Sequence, residues 1–359
     1  MAQSHETEAA NRYVSLDYLR AAAAWLVAWD HLANTMPGWR GQVFLPALWV
    51  RNHISGPLGV IQDFGWFGVA LFFLISGFII SDRARVESAG EFVLKRLLRI
   101  YPMLAVAVLL SSAFAVAKSQ VTVTNVLLNL TLANYLVVPQ VALLGVAWTL
   151  VIEMMFYALT AVTQFARNSP HSIALNLAVV ALMIWRRGAY GPSFLLAAAV
   201  ASYLPVLVMG QTIYWWLAKG RLSAFWGLTY LAAAYGLFML GLEALQPGFL
   251  PVTNSYVISV TYALLLFVVL LRASLRPRPV VRLLSDTSYS LYLLHGVVGW
   301  GVMAALLGRA PLWVAIALAA GASLAASCVT YWLIETPANT LARRLSRSRR
   351  HSAARLAEA

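Results

Sequence analysis

The stretch SLDYLRAAAAWLVAWDHLANTM, residues 15–36, decides which solvent this chain folds in. A helix needs about 20 apolar residues to cross a bilayer. Ser15 to Met36 meets that length and lacks a small-residue cleavage site, so it reads as a retained span rather than a signal peptide. Two of its residues do not suit hydrocarbon. Ionisable groups at the centre of a span cost about 2.5–3.5 kcal/mol on insertion scales and mark functional positions. Arg20 and His31 are eleven residues apart. That leaves them within about 20° on a helical wheel and about 16 Å apart along the axis. Asp17 and Asn34 fall on the same side, whereas Asp30 points about 100° away from His31. Taken singly, Arg20 is an arginine snorkelling to the inner interface and His31 a hydrogen-bonded packing residue. The one-sided stripe of Asp17, Arg20 and His31 favours a functional face.

The rest of the chain agrees with a lipid solvent. It is 61% hydrophobic and 11% charged, about half the charged fraction of a soluble domain, and its mean hydropathy is +0.75. Ten spans are expected in an all-α polytopic membrane protein, at roughly 16–36, 64–81, 98–117, 145–166, 171–187, 192–209, 222–242, 253–272, 285–307 and 312–334. Thr122 to Val138 is interrupted by Asn125, Asn129 and Asn134 and closed by Pro139, so it is expected as a re-entrant or interfacial helix. Tyr214 to Ala218 is expected as a short piece between spans. With the N-terminus inside, 19 basic residues collect on the inner side against six outside (Arg40, Arg51, Lys118, Arg186, Arg187 and Arg309). That bias makes both termini cytoplasmic, with Arg186 and Arg187 the pair that fits least. It also explains the net charge of +13 without a nucleic-acid partner. The only cysteine is Cys328, so no disulfide and no thiolate metal site is expected. The organisation is a polar cytoplasmic N-terminus over 1–14, a membrane domain over 15–337 and a basic cytoplasmic tail over 338–359.

Other spans carry polar faces. Thr149, Glu153 and Tyr157 recur at i, i+4 and i+8 on the fourth. By helix rise Glu153 lies about 12 Å below the outer surface and His31 about 7 Å, close enough for a carboxylate to orient an imidazole. On the ninth span Ser285, Ser288, Tyr292 and His295 share a face, although Ser and Tyr in membrane helices often only bond neighbouring helices. Glu335 closes the last span as an expected partner for inner arginines. The second span opens Phe64-Gly65-Trp66-Phe67-Gly68 and ends Ser76-Gly77-Phe78, small residues that allow close helix approach. Behind it Arg83, Arg85, Lys95, Arg96 and Arg99 form a dense basic cluster. Arg96 and Arg99, expected at a helix start before Tyr101-Pro102, are spaced to face one polyanion.

These segments, in order, resemble the acyltransferase-3 family of integral-membrane O-acyltransferases. The resemblance rests on Ser15-Leu16-Asp17-Tyr18-Leu19-Arg20, His31, Gly65 through Phe78, Arg96-Leu97-Leu98-Arg99-Ile100-Tyr101-Pro102, Trp148-Thr149-Leu150 with Glu153 and Phe156-Tyr157, Ser288 through His295, and Glu335-Thr336-Pro337. Ala21 replaces the glycine usual after the arginine, and Ala70 stands where many relatives carry an acid. The match is to the short form, without a fused extracellular esterase-like domain. It implies a multi-pass protein of the cell's inner membrane. Such a protein moves an acyl group, acetyl foremost, from cytoplasmic acyl-coenzyme A to a hydroxyl of a carbohydrate, either an exopolysaccharide or a lipid-linked sugar. Acyl-coenzyme A (acetyl-CoA) is then a co-substrate, not a resident cofactor. The family's arginine-to-histidine motif falls on Arg20 and His31, and its paired arginines on Arg96 and Arg99. The expected roles are His31 as base or acyl carrier, Glu153 orienting it, and Arg20, Arg96 and Arg99 on coenzyme A phosphates. Asn34, Ser288, Tyr292 and His295 are the acceptor or oxyanion candidates. Two other functions want the same buried charges: a transporter or flippase for lipid-linked sugars, and a non-enzymatic subunit of a polysaccharide export complex.

Overall fold

The computed structural model of the chain describes residues 2–116, 121–166, 168–189, 201–245 and 253–346. Lys118, Arg167, residues 190–200 with the start of the sixth expected span, and the basic tail from 347 lie outside them. All regular structure among the described residues is helical. The helices used below are α1 (Ala2–Trp29), α2 (Gly65–Val86), α3 (Ala89–Val116), α4 (Val123–Leu130), α5 (Trp148–Val162), α6 (His171–Trp185), α7 (Leu204–Ile213), α8 (Ala224–Leu245), α9 (Thr253–Arg272), α10 (Pro279–Asp286), α11 (Ser288–Leu294) and α12 (Leu312–Thr330). Among the described residues six helical stretches are long and apolar enough to cross a bilayer: Gln62–Val86, Trp148–Ala166, Ala224–Ala244, Ser255–Arg272, Ser288–Leu306 and Leu312–Ser346. Each coincides with an expected span. The chain is an all-α membrane protein.

Helix α2 is apolar on all sides, as a helix surrounded by protein should be, and it packs against α1, α7 and α9. Its glycines make those approaches possible. A Cβ on Gly68 would sit 2.7 Å from the Ala23 carbonyl oxygen of α1. At the crossing with α7, a Cβ on Gly77 would overlap the Leu207 carbonyl, and one on Gly210 would overlap that of Leu74.

Two local expectations change, and a third segment keeps to its expected form. Tyr214 to Ala218 is not a separate piece: it prolongs α7 as a π turn, because no breaker intervenes before Gly220 (φ 60°) and Tyr214 and Trp215 are drawn into the core. Arg96 and Arg99 lie well inside α3, which starts at Ala89. Ser88 accepts a hydrogen bond from the Glu91 N–H (3.4 Å), and Lys95 pairs with Glu91 one turn on, so the basic segment itself is helical. The segment after Thr122 holds the eight-residue α4 and a 3-10 turn at Ala133–Leu136, each too short to span, in keeping with a re-entrant or interfacial piece. Its Asn129 ties down the following loop, donating to the Val141 carbonyl (2.8 Å) and accepting from the Leu143 N–H (2.9 Å).

The entry to α2 is strained. Gln62, Asp63 and Phe64 are all left-handed (φ 54°, 42° and 76°), a conformation that costs about 1–2 kcal/mol for each non-glycine residue. Asp63 anchors the turn. Its carboxylate accepts from Ser55 Oγ (2.6 Å) and from Arg51 Nε and Nη2 (2.9 and 2.6 Å). The hydrogen bond to Asp63 pushes the Arg51 pKa above its ordinary value, so the guanidinium stays charged across the usable pH range. Asp63→Ala is expected to release residues 51–64 before the rest of the fold. Hydrogen exchange should rise there and not in α2, while equal protection in both proteins would contradict the anchoring role.

Candidate active site

Two π turns build the centre of the site. Helix α1 does not continue regularly past Trp29 but opens into a π turn over Asp30–Thr35. Helix α11 likewise opens over His295–Gly299 before regular helix resumes at Trp300. Single π turns inside helices are uncommon and concentrate at functional sites. Each of these carries a histidine, and the two turns pack on one another. Gly299 permits that contact, since a Cβ there would stand 2.6 Å from Leu32 Cδ2. His31 Nδ1 lies 2.6 Å from His295 Nε2, with the rings 11° from parallel. His295 is wholly buried, and its Nδ1 is 3.0 Å from the Leu291 carbonyl oxygen.

Two cavities lie nearby, inner and outer in the sidedness expected from the charge bias. The inner one is lined by Arg20, Arg96, Arg99, Glu153, Tyr157 and Ser288 among others. Its guanidiniums differ. Arg96 is held by the protein: it lies over the Phe92 and Tyr157 rings (5.2 and 5.8 Å) and 3.6 Å from Glu87 Oε2. Arg20 and Arg99 form no hydrogen bond or ion pair with any described residue, and so remain available to an anion. Glu153 accepts from Tyr157 Oη (2.5 Å) and Ser76 Oγ (3.3 Å).

The outer cavity is lined by His31, Thr35, Met36, Trp39, Ser111 and Trp300, with apolar walls from Leu143, Val146 and Leu293. At its mouth the Trp39 and Trp300 rings meet edge to face at 5.4 Å, and the Arg40 guanidinium sits 5.7 Å over Trp300. Tyr292 stands between the two spaces. It lines the inner cavity, and its hydroxyl lies 2.9 Å from the Thr149 hydroxyl and 3.3 Å from the carbonyl of Val146, an outer-cavity residue.

The expected site residues therefore separate into groups. Arg20, Arg96, Arg99, Glu153 and Ser288 share the inner cavity. His31 faces the outer cavity, bonded to His295. The pairing of Glu153 with His31 is not formed: a similar expected depth says nothing about lateral position, and the carboxylate is engaged with Tyr157 and Ser76. Asn34 turns away from the site, its Oδ1 accepting from Arg51 Nη2 at 3.3 Å. Ser288 donates to the Ser285 carbonyl (2.7 Å), and Ser285 in turn donates to Asp17 (2.8 Å). Glu335 accepts from Ser290. Sequence reasoning missed Trp39 and Trp300. Tryptophan is common at membrane interfaces in any case, so nothing in their spacing set them apart. Among the described residues no group of three His, Cys, Asp or Glu side chains is placed to hold a metal ion.

The sequence profile described as an acyltransferase domain matches residues 13–332. The chain belongs to the acyltransferase-3 family. This acyltransferase-3 protein is similar to nodulation protein 10 of Rhizobium leguminosarum bv. viciae, with 28% identity over 85% of this chain and 93% of that relative. It is also similar to the exopolysaccharide production protein ExoZ of Rhizobium meliloti (strain 1021), with 29% identity over 68% of this chain and 79% of that relative. No solved structure matches. It is a multi-pass membrane acyltransferase.

Proposed function

We propose that this acyltransferase takes its acyl group from acyl-coenzyme A bound in the inner cavity and delivers it to a carbohydrate hydroxyl in the outer one. The observation that carries this reading is a pair of cavities on either side of Tyr292, which lines one and donates to the carbonyl of Val146 in the wall of the other. One presents two unengaged guanidiniums, and the other presents an imidazole beside an aromatic mouth. Coenzyme A is a polyanion with a thin pantetheine arm. Its phosphates suit Arg20 and Arg99, with Arg96 as a fixed positive wall. The Trp39–Trp300 mouth suits the apolar face of a pyranose ring, and one relative is named for exopolysaccharide production.

In the transfer, the acceptor hydroxyl gives its proton to His31 as its oxygen attacks the thioester carbonyl carbon. The C–S bond then breaks, and the thiolate leaves and takes up the proton from the imidazolium. The Tyr292 hydroxyl would donate to the oxyanion between these steps by giving up its bond to Val146 or Thr149. Acylation of His31 itself, followed by passage to the acceptor, uses the same nitrogen.

The test is acyl transfer by the purified protein, read as thiol released and ester formed on a sugar acceptor. Thioester turnover supports an enzyme. A protein that moves lipid-linked sugars without consuming acyl-coenzyme A would be the flippase, and one whose deletion disrupts export without altering acylation would be the scaffold. Arg99→Ala is expected to raise KM for acyl-coenzyme A about 10- to 100-fold, the worth of hydrogen bonds to a charged group, with a smaller effect on kcat. An unchanged KM would place the donor elsewhere.

A further inference from the structure

We infer that His295 is the positioning residue that fixes the tautomer of His31 and leaves its Nε2 as the free base. The inference rests on reading His31 as the group that accepts the proton or the acyl group. The argument is one of hydrogen-bond bookkeeping. A carbonyl oxygen accepts and never donates, so the 3.0 Å contact with Leu291 requires the proton of His295 to sit on Nδ1. The Nε2 of a neutral His295 is then a bare acceptor. It lies 2.6 Å from His31 Nδ1, which must therefore carry the proton of the second ring. His31 Nε2 is left with its lone pair, on a ring that lines the outer cavity. The backbone of α11 thus sets one ring, and that ring sets the other.

His295 is suited to this and to little else. It is wholly buried and lines neither cavity, so it acts through His31 rather than on substrate. The role is the one a carboxylate commonly plays behind a catalytic or metal-bound imidazole. In this chain a second histidine occupies that place, and Glu153 is engaged elsewhere. Gly299 matters for the same reason, because it lets the two π turns close on one another.

Two kinds of measurement test this. The protein carrying 15N-labelled histidine, in nanodiscs, should show His31 with protonated Nδ1 and unprotonated Nε2. In His295→Leu, which removes the acceptor, that fixed tautomer should be lost. Acyl transfer by His295→Leu should lose about 10- to 100-fold in kcat, the usual effect of removing a group that orients an active imidazole, with KM for acyl-coenzyme A unchanged. His295→Gln offers an amide oxygen where Nε2 stood and should recover most of that loss. His31 carrying its proton on Nε2 in the unaltered protein would overturn the inference. So would equal losses in the Gln and Leu variants with the His31 tautomer unmoved. Should His295→Leu fail to fold, the labelled unaltered protein still decides the tautomer. If His31→Ala stayed active while the tautomer was as described, the reading of His31 as the reacting group would fail and the positioning geometry would stand.

Discussion

His31→Ala should lower acyl transfer by about 10²–10⁴-fold, the range supplied by a positioned general base, while acyl-coenzyme A still binds with near-normal affinity. The two effects separate because the two cavities do. His31 lines the outer space and bonds only to His295, whereas the unengaged arginines line the inner one. Alanine removes the base without touching a guanidinium. Binding measured by titration of coenzyme A, and transfer measured as ester formed, should therefore part company in this variant. Loss of both together would mean that the imidazole holds the donor. Retention of both would remove His31 from the chemistry, along with the base and acyl-carrier routes that depend on it.

Gly77→Val should be the most damaging substitution in the core. The α2–α7 crossing brings backbone onto backbone, and a Cβ at Gly77 would occupy the space of the Leu207 carbonyl oxygen. A clash with the end of a side chain can be relieved by a rotamer change, but this one cannot. The helices must separate, and small residues at such crossings are what hold membrane helices together in the absence of a hydrophobic drive. Overpacking of an ordinary core costs about 1–3 kcal/mol and occasionally more, and a backbone clash belongs at the upper end. Thermal unfolding in detergent should fall clearly, or folded protein should be lost. Gly236→Val is the matched control, since a Cβ at Gly236 meets nothing within 4 Å. Equal melting of the two variants would contradict the account of the crossing.

Much of this was legible in the residues. The apolar run from Gly65 to Phe78, broken by Ser76 alone, reads as a span whose glycines allow close helix approach, and α2 makes those approaches at Gly68 and Gly77. Arg20, Arg96 and Arg99 declared one basic site through cost and spacing, and they line one cavity. What the residues hid was lateral. A wheel drawn at 100° per residue holds only for regular helix, and the π turns at Asp30–Thr35 and His295–Gly299 rotate everything after them. His31 and Asn34 consequently part, one to His295 and the other to Arg51. Helix rise gives only an expected depth for Glu153 and His31, and their partners depend on which helices pack side by side. That is set by contacts such as Gly77 on Leu207, far along the chain and invisible to local periodicity.

The central claim is that donor and acceptor meet from opposite sides at the wall formed by Tyr292 and the two histidines. It is tested most directly in proteoliposomes of known orientation, with acyl-coenzyme A on one side only and a sugar acceptor on the other only. Ester should form when acyl-coenzyme A is on the arginine side and the acceptor on the His31 side, and not in the reverse arrangement. Product that forms only when both substrates share a side would contradict it.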